Sequence, residues 1–491
     1  MQVRNGIRTT SESRSEARQG VGDGHSTDDG RDTTTRPEGR AISLEAPMAT
    51  RGTRAIGRQR SGDAPLTWVR LWQRRLYSSA KADPQRTFGV LYDKVCDFAV
   101  LYEAWLRVSA NGGAAGVDGR SIEQIREDGV VKFLEELQQK LRQGTYQPEP
   151  IRRTYIPKPD GRQRPLGIPT VTDRVAQMAV KLVIEPLFEA DFLDCSHGFR
   201  PRRNAHQAIR AIERGWRVGL RWVVDVDLQS YFDTIPHGRL LQLVRRRVHD
   251  PRIMGWIRSW LKAGVLDAGT LNYPEAGTPQ GGVLSPLLAN IYLHEVDRRW
   301  QRKGPRVRLV RYADDMVLLC VSETEARREH AQLQAVIESL GLRLNDVKTH
   351  VVAMREGFNF VGFSFRRGQY RRAGKQRETL IKVPRTRAIK SALANIKQAV
   401  KAVPLGEAVP VAVQAVNRRL RGWVNYFRIS NARPTVKRPV WHATRQLRLF
   451  LRRRYQRKGS QYSRRWTDAY FHDHLGLYRV DELLGRKVAQ C

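Results

Sequence analysis

The sequence is poor in cysteine, in long apolar runs and, over one stretch, in acidic residues. Its four cysteines among 491 residues lie far apart without a CxxC pair, which excludes a cysteine zinc site and a disulfide framework and suits a reducing compartment. No apolar run reaches the length of a membrane span, and no charged-then-apolar signal sequence opens the chain. We therefore expect a cytoplasmic protein without a membrane partner.

Positive charge is what the chain has in excess. Lys and Arg total 87 against 49 Asp and Glu, a formal net charge of +38, which makes a polyanion the expected partner. The excess is uneven, because residues 1–64 carry 11 basic and 9 acidic side chains, whereas residues 380–458 carry 20 basic side chains and one acid, Glu407. This distribution excludes a short, uniformly basic protein of the histone or ribosomal type.

The length predicts more than one domain. Residues 1–64, rich in Ser, Thr, Gly and charged residues, predict a disordered N-terminal extension, or an extension upstream of the natural start. Residues 65–379 mix helical and strand patterns, which predicts an α+β fold. Residues 380–458 predict a basic, wholly helical domain, and residues 459–491 a short C-terminal tail.

Local patterns within the second region predict several elements. Apolar spacing indicates helices over 85–148 and 173–190, with an extended hairpin over 150–170 between them. The Gly-rich segment 111–119 interrupts the first helical stretch. Such a loop is weak evidence for phosphate binding and is more typical of a plain connector.

Two groups of carboxylates are candidates for chemistry. Asp314 and Asp315 lie between two apolar runs, the pattern of a β-hairpin with the pair at its turn. Asp225 and Asp227 end a buried strand and share one of its faces. Alone, the first pair is usually a solvated turn and the second a strand end with a helix cap. Together they supply the oxygen ligands that two Mg²⁺ ions need in a phosphoryl-transfer site.

These groups belong to an ordered series of motifs. Tyr312-Ala-Asp-Asp315 matches the Tyr-x-Asp-Asp motif of reverse transcriptases, and residues 227–237 resemble their first catalytic-aspartate motif. Five further blocks resemble family motifs in the family's order, at residues 155–169, 196–203, 277–286, 341–349 and 360–363. Over residues 85–460 the chain thus resembles the group II intron-encoded reverse transcriptase/maturases.

The resemblance implies a right-hand polymerase with fingers and palm, followed by an all-helical thumb and maturase domain. It implies an RNA-directed DNA polymerase that binds a group II intron RNA, assists its splicing and copies it into cDNA. The implied partners are that RNA, a DNA primer or target and dNTPs. The implied ligands of two Mg²⁺ ions are Asp227, Asp314 and Asp315, with Asp225 as the rival of Asp227.

The same resemblance assigns residues to the incoming nucleotide and the primer. Lys158 and Arg164 would grip the triphosphate, since Arg forks onto phosphate oxygens and Lys acts as a point charge. Phe232 would exclude a 2′-hydroxyl, although a core Phe on a buried strand is an equal alternative. The other implied contacts are Gln280 and Lys348 at the nucleotide, where a solvated helix-end lysine is the alternative, and Gly362 in the primer grip.

The basic domain interleaves cations with aromatic residues, a composition typical of RNA contact. The segment 422–427 resembles the maturase domain of the same family. The residues expected to bind RNA are Arg418, Arg419, Arg421, Trp423, Tyr426, Arg428, Arg445, Arg448 and Arg452.

Two other functions remain open at this stage. One is an RNA-binding splicing cofactor that no longer polymerises, against which the intact carboxylates argue. The other is a reverse transcriptase recruited to host defence or to diversity generation. The sequence extends only about 30 residues beyond the basic domain, Cys491 has no other cysteine nearby, and the cluster His472-Asp473-His474 without further ligands is typical of a surface. We therefore expect no His-Asn-His endonuclease activity. The oligomeric state, including a homodimer, stays open.

Overall fold

The computed structural model describes residues 67–157, 163–267, 269–301, 304, 306–372, 375–456 and 466–480. Residues 1–64, predicted to be disordered, and Lys158 lie outside the described residues. No helix in the described part is long and apolar enough to cross a bilayer. The described residues combine helices with small sheets, which confirms the α+β class.

Helices dominate the first part of the chain, as predicted. Ser121 and Gln124 form a reciprocal capping box that starts one of them. The Gly-rich loop is a connector, and the Arg174 guanidinium donates to its carbonyls at Gly112 and Ala114. These helices are α1 (Thr67–Ala82), α2 (Tyr92–Val95), α3 (Phe98–Asn111), α4 (Ile122–Asp128), α5 (Val130–Gln143) and α6 (Val171–Glu189).

The hairpin predicted over 150–170 is present. Its strands pair antiparallel, with Ile156 opposite Arg164. The hairpin belongs to a sheet of order β2-β1-β4-β5. The strands are β1 (Ile151–Pro157), β2 (Gln163–Ile168), β4 (Val265–Asp267) and β5 (Thr270–Asn272).

A second sheet, called the palm sheet here, has the order β6-β7-β3-β8 with antiparallel neighbours. Its strands are β3 (Trp222–Val226), β6 (Val307–Tyr312), β7 (Asp315–Cys320) and β8 (His350–Ala353). Side chains alternate between its faces. Val224 and Leu318 pack into a first hydrophobic cluster with the N-terminal helices, and Val223 and Leu319 into a second cluster with the C-terminal helices. The strands therefore read as continuous apolar runs because both faces are buried.

In the part of residues 205–339 that the structure describes, the chain forms six further helices. Tyr231 of one of them is buried, and its hydroxyl donates to the Ala289 carbonyl at 2.6 Å. The helices are α7 (Ala205–Arg217), α8 (Tyr231–Thr234), α9 (His237–Arg245), α10 (Pro251–Lys262), α11 (Ser285–Gln301) and α12 (Glu323–Ser339).

In the C-terminal part, the packing differs from the predicted boundaries at residues 380 and 459. Residue 380 lies inside a strand that stays paired with its neighbour up to Pro384, so the helices begin at Thr386. Trp466 and Phe471 are buried in the same cluster as the C-terminal helices, so residues 466–480 pack with those helices. The helices within residues 386–454 and the segment 466–480 together are called the helical unit below. The elements are β9 (Phe358–Phe360), β10 (Phe363–Arg372), β11 (Lys375–Pro384), α13 (Thr386–Lys401), α14 (Val409–Phe427), α15 (Arg433–Arg454) and a π-helix (Tyr470–His474).

Candidate active site and RNA-binding surface

The Asp314–Asp315 pair lies at the turn between β6 and β7, as predicted. Tyr312 pairs with Asp315, which leaves Ala313 and Asp314 as a two-residue turn. Ala313 has a φ of 58°, in a region that residues other than Gly seldom adopt. Gly198 packs against this turn so closely that a Cβ would lie 2.3 Å from the Ala313 nitrogen. Close packing therefore holds a strained backbone at the carboxylates.

A buried ion pair supports this turn from within the protein. The Arg311 Nε donates to Asp297 Oδ1 at 2.8 Å, and both side chains are fully buried. Its Nη1 donates to the Ala313 carbonyl and to Asn290 Oδ1, both at 2.9 Å. Sequence reasoning missed these residues. The available signal was a charged residue in an apolar strand and two polar residues seven positions apart in the buried helix α11.

Four carboxylates lie near the ends of β3 and β7, and the pKa values of three of them are raised. The pKa of Asp315 is raised to about 7, mainly by burial, with smaller contributions from the negative charges of Asp225 and Asp314. Burial also raises the pKa of Asp225 to about 6, with a contribution from Asp227. The pKa of Asp314 is raised by burial and by the charge of Asp227. A nearby cation would relieve this accumulation of negative charge.

Asp227 follows β3 directly and is 42% exposed at its side chain. The Asn345 nitrogen donates to its carbonyl at 2.8 Å, which fixes its backbone. The Lys348 Nζ donates to Asp227 Oδ2 at 3.1 Å, so the structure places this predicted nucleotide-binding lysine at a carboxylate. Within the described residues, no three His, Cys, Asp or Glu side chains converge closely enough to form a ready-made metal site.

The other predicted nucleotide-binding residues come from three separate segments. Phe232 is half-buried against the first hydrophobic cluster. The Gln280 Nε2 donates to Asp233 Oδ2 at 3.1 Å. The backbone carbonyl of Gln280 accepts from the Gly167 nitrogen of β2 at 2.6 Å. Arg164 is exposed on β2, and its charge opposes the rise in the Asp314 pKa. A cavity of about 280 Å³ opens here, with Gly167, Asp233 and Gln280 in its wall.

The predicted primer-grip residue, Gly362, lies in the turn between β9 and β10 with a φ of +81°. The preceding nitrogen, of Val361, donates to Asp315 Oδ2 at 3.2 Å. The Tyr426 hydroxyl of α14 donates to the Val361 carbonyl at 2.7 Å. This turn therefore links a candidate catalytic carboxylate to the helical unit.

The structure separates the predicted RNA-binding residues into exposed and packed groups. Trp423 is 9% exposed, and its Nε1 donates to the Val436 carbonyl at 3.0 Å, so its ring is unavailable for stacking on RNA. The prediction that Trp423 contacts RNA is contradicted, because Trp423 shares a helical face with the buried residues Leu420 and Phe427. The predicted residues that are exposed are Arg418, Arg419, Arg421, Arg428, Arg445 and Arg452.

Two further predicted RNA contacts are half-buried. Tyr426 holds the Val361 turn, and its own carbonyl contacts the His206 ring at 2.6 Å. The Arg448 Nε donates to the Trp466 carbonyl at 2.9 Å, and its guanidinium pairs with Asp468 at 2.7 Å. Both side chains therefore hold neighbouring segments of the protein.

Two family models match separate parts of the chain. The family model described as reverse transcriptase (RNA-dependent DNA polymerase) matches residues 156–365. The model described as group II intron, maturase-specific domain, matches residues 389–471. The first match contains the palm sheet with its carboxylates, and the second contains α14 and α15.

Three relatives extend the comparison. Protein YkfC of Escherichia coli (strain K12) is 38% identical over 333 residues, 59% of this chain and 86% of YkfC. The group II intron-encoded protein LtrA of Lactococcus lactis subsp. cremoris is 39% identical over 227 residues, 46% of this chain and 37% of LtrA. An uncharacterized 91 kDa protein in a cob intron of Schizosaccharomyces pombe is 33% identical over 232 residues, 46% of this chain and 28% of that protein. The chain belongs to the group II intron-encoded reverse transcriptase/maturase family, and joins an RNA-directed DNA polymerase domain to a maturase domain.

Proposed function

We propose that the protein extends a DNA primer on an RNA template at the carboxylates of the palm sheet. The natural template is a group II intron RNA, whose splicing the protein assists and which it copies into cDNA during retromobility. One observation carries the polymerase proposal. Asp227 and the Asp314–Asp315 turn, from motifs far apart in sequence, lie at neighbouring ends of paired strands, because β3 pairs antiparallel with β7 and Val226 lies opposite Met316.

Reverse transcriptases use divalent metal ions, and the residues here suit Mg²⁺. The proposed ligands of two ions, Asp227, Asp314 and Asp315, offer only oxygen atoms. Asp227 is preferred to Asp225 because it lies beyond β3, half-exposed, whereas Asp225 lies within the strand. When bound, the ions would activate the primer 3′-hydroxyl and stabilise the leaving group. Lys348 adds positive charge at one of these carboxylates, Asp227.

The chain's own residues bind and orient the reactants. The primer 3′-oxygen attacks the α-phosphorus, a phosphodiester bond forms, and the bond to the β-phosphate breaks with release of pyrophosphate. Arg164 and Lys158 would bind the triphosphate oxygens. Phe232 would lie under the sugar and exclude a 2′-hydroxyl. Gln280, tied to Asp233 and β2, would support the nascent base pair, and Gly362 would allow the primer backbone to approach.

Binding of the intron RNA is assigned to the helical unit. Residues 380–458 carry 20 basic side chains against one acid, and most of the arginines predicted to bind RNA are exposed. Such a surface neutralises the phosphates that folded RNA brings together. The RNA performs the splicing chemistry, and the protein stabilises its folded form.

Primer extension and splicing assays test the two halves of this proposal separately. On a primed RNA template with dNTPs we expect incorporation that requires Mg²⁺. With an intron RNA transcribed from the DNA flanking the gene, we expect accelerated splicing. Absent incorporation with retained intron binding would favour a splicing cofactor. Incorporation without any intron in the flanking DNA would favour a role in defence or diversity generation.

A further inference from the structure

An exposed tryptophan lies on the outer side of α15, in the middle of the helical unit. Trp441 is 58% exposed, whereas Trp423, the tryptophan predicted to contact RNA, is 9% exposed. An indole left in water does not gain the free energy that burial of its large apolar surface would supply. A single exposed apolar residue is ordinary by itself, so its surroundings decide whether it has a role.

Cations surround this ring on its own helix and on the neighbouring one. Arg438 and Arg445, three positions before and four after Trp441, are exposed and share its helical face. Lys397 is exposed on α13, which packs against α15. Burial lowers the pKa of His442, the neighbour of Trp441, and the charges of Arg445 and Lys397 lower it too, in line with a position of Lys397 beside this part of α15. Arg438, Trp441, Arg445 and Lys397 together are called the Trp441 face below.

The positive charge of this face is not offset by its own helices. Between Glu378 and Asp468 the sequence contains one acidic residue, Glu407, which lies between α13 and α14, so α13 and α15 have none. Arg448, one turn further along α15, is the arginine that pairs with Asp468. The Trp441 face therefore suits a polyanion.

The opposite side of α15 is packed into the protein. Val440, Ala443 and Leu447 are buried in the second hydrophobic cluster. The Trp423 indole binds the Val436 carbonyl at the start of the same helix. The face is consequently presented on a rigid support, which lowers the entropic cost of binding.

We infer that the Trp441 face binds unpaired RNA, with the indole stacked on a base and Arg438, Arg445 and Lys397 on the flanking phosphates. This inference rests on the proposed function and names a site within it. Unpaired bases expose the flat surfaces that aromatic side chains stack on, and duplexes hide them. The combination of an exposed ring with cations at helical spacing therefore points to single-stranded RNA.

Binding of the full-length protein to three fluorescent probes of one sequence tests the inference. The probes are an unstructured single-stranded RNA, the same RNA in a duplex, and the corresponding single-stranded DNA. For Trp441→Ala we expect about tenfold weaker binding to single-stranded RNA, with little change for duplex RNA. Trp441→Phe should retain most of the affinity. Arg445→Ala should reduce the slope of log affinity against log salt by about 1, whereas Trp441→Ala should leave it unchanged.

Controls separate this inference from the proposed function. Trp68→Ala removes another exposed tryptophan, on α1, and should leave binding unchanged. The thermal midpoint of Trp441→Ala should match the wild type because the ring is exposed. Equal losses on single-stranded and duplex RNA would overturn the inference, as would a loss confined to single-stranded DNA, or unchanged RNA binding with altered self-association. A wild-type protein that binds no RNA would refute the maturase proposal itself, and the inference with it.

Discussion

The palm sheet and the helical unit use charge in opposite ways. In the palm sheet, acidic groups of like charge are buried near one another, and each perturbs its neighbours. In the helical unit, cations lie on the surface, spread over α13 to α15. The effect of a buried charge depends on its exact position, because little solvent screens it from its neighbours. Exposed charges are screened individually and attract a polyanion through their total. Single substitutions should therefore be severe in the palm sheet, and combined substitutions should be needed in the helical unit.

The largest expected effect is on catalysis by the palm sheet. Asp314→Asn keeps the side-chain volume but removes a metal-binding charge, so we expect at least a hundredfold loss of nucleotide incorporation on a primed RNA template. Intron RNA affinity should stay unchanged. Asp346→Asn, which alters an exposed carboxylate, is the matched control. Equal losses of incorporation and RNA affinity in a folded Asp314 variant would remove the distinction between the two regions.

Ion pairs in the two regions should differ in their contribution to stability. Asp297→Ala leaves Arg311 buried without its carboxylate and should lower the free energy of unfolding by about 3–5 kcal/mol. Asp468→Ala removes the exposed partner of Arg448 in the helical unit and should cost about 0–1 kcal/mol. Equilibrium unfolding in urea measures both. Similar values for the two variants would contradict the proposed contrast.

Trp423 tests whether aromatic residues of the helical unit serve the core or the RNA. Trp423→Ala should lower the free energy of unfolding by about 3–5 kcal/mol because it opens a cavity between α14 and α15. Trp423→Phe should retain most of the stability and all of the RNA affinity. A folded Phe variant with much weaker RNA binding would restore the original prediction of an RNA contact.

Exposed arginines should act together. Replacing Arg418, Arg419 and Arg421 with Gln should weaken intron RNA binding about tenfold or more and reduce the salt slope by about 2. Arg327→Gln on α12, exposed and paired with Glu323, is the control and should change neither quantity. If one of the three single variants lost as much RNA affinity as the triple variant, one specific arginine and not the total charge would determine binding, and the contrast with the palm sheet would fail.

The smallest expected effect concerns the link between the two regions. Tyr426→Phe removes the hydroxyl that donates to the Val361 carbonyl, and a lost hydrogen bond of about 1 kcal/mol corresponds to about fivefold slower incorporation. RNA affinity should not change, and Tyr102→Phe, an exposed tyrosine on α3, provides the control. Reduced RNA affinity with normal incorporation would return Tyr426 to the RNA-binding surface.

Much of the candidate site was predictable because its signals are local. Continuous apolar runs indicated the hairpin at Asp314–Asp315 and a strand carrying Asp225 and Asp227. Both elements are present, although the strand ends at Val226 and Asp227 follows it. The support of the turn was not predictable, since Arg311, Asp297 and Asn290 come from separate elements and meet only when α11 packs on β6. Trp423 and Trp441 both lie among basic residues in the sequence, and only their helical faces distinguish them.

The sequence alone determined the fold class, the order of motifs and the excess of positive charge in the helical unit, because each follows from local composition and spacing. Tertiary structure decided which charges are buried together, which tryptophan reaches the surface, and how the Val361 turn joins Tyr426 to Asp315. The reason is physical. Burial and electrostatic coupling depend on distances between segments remote in the chain, and those distances exist only after the two clusters have packed.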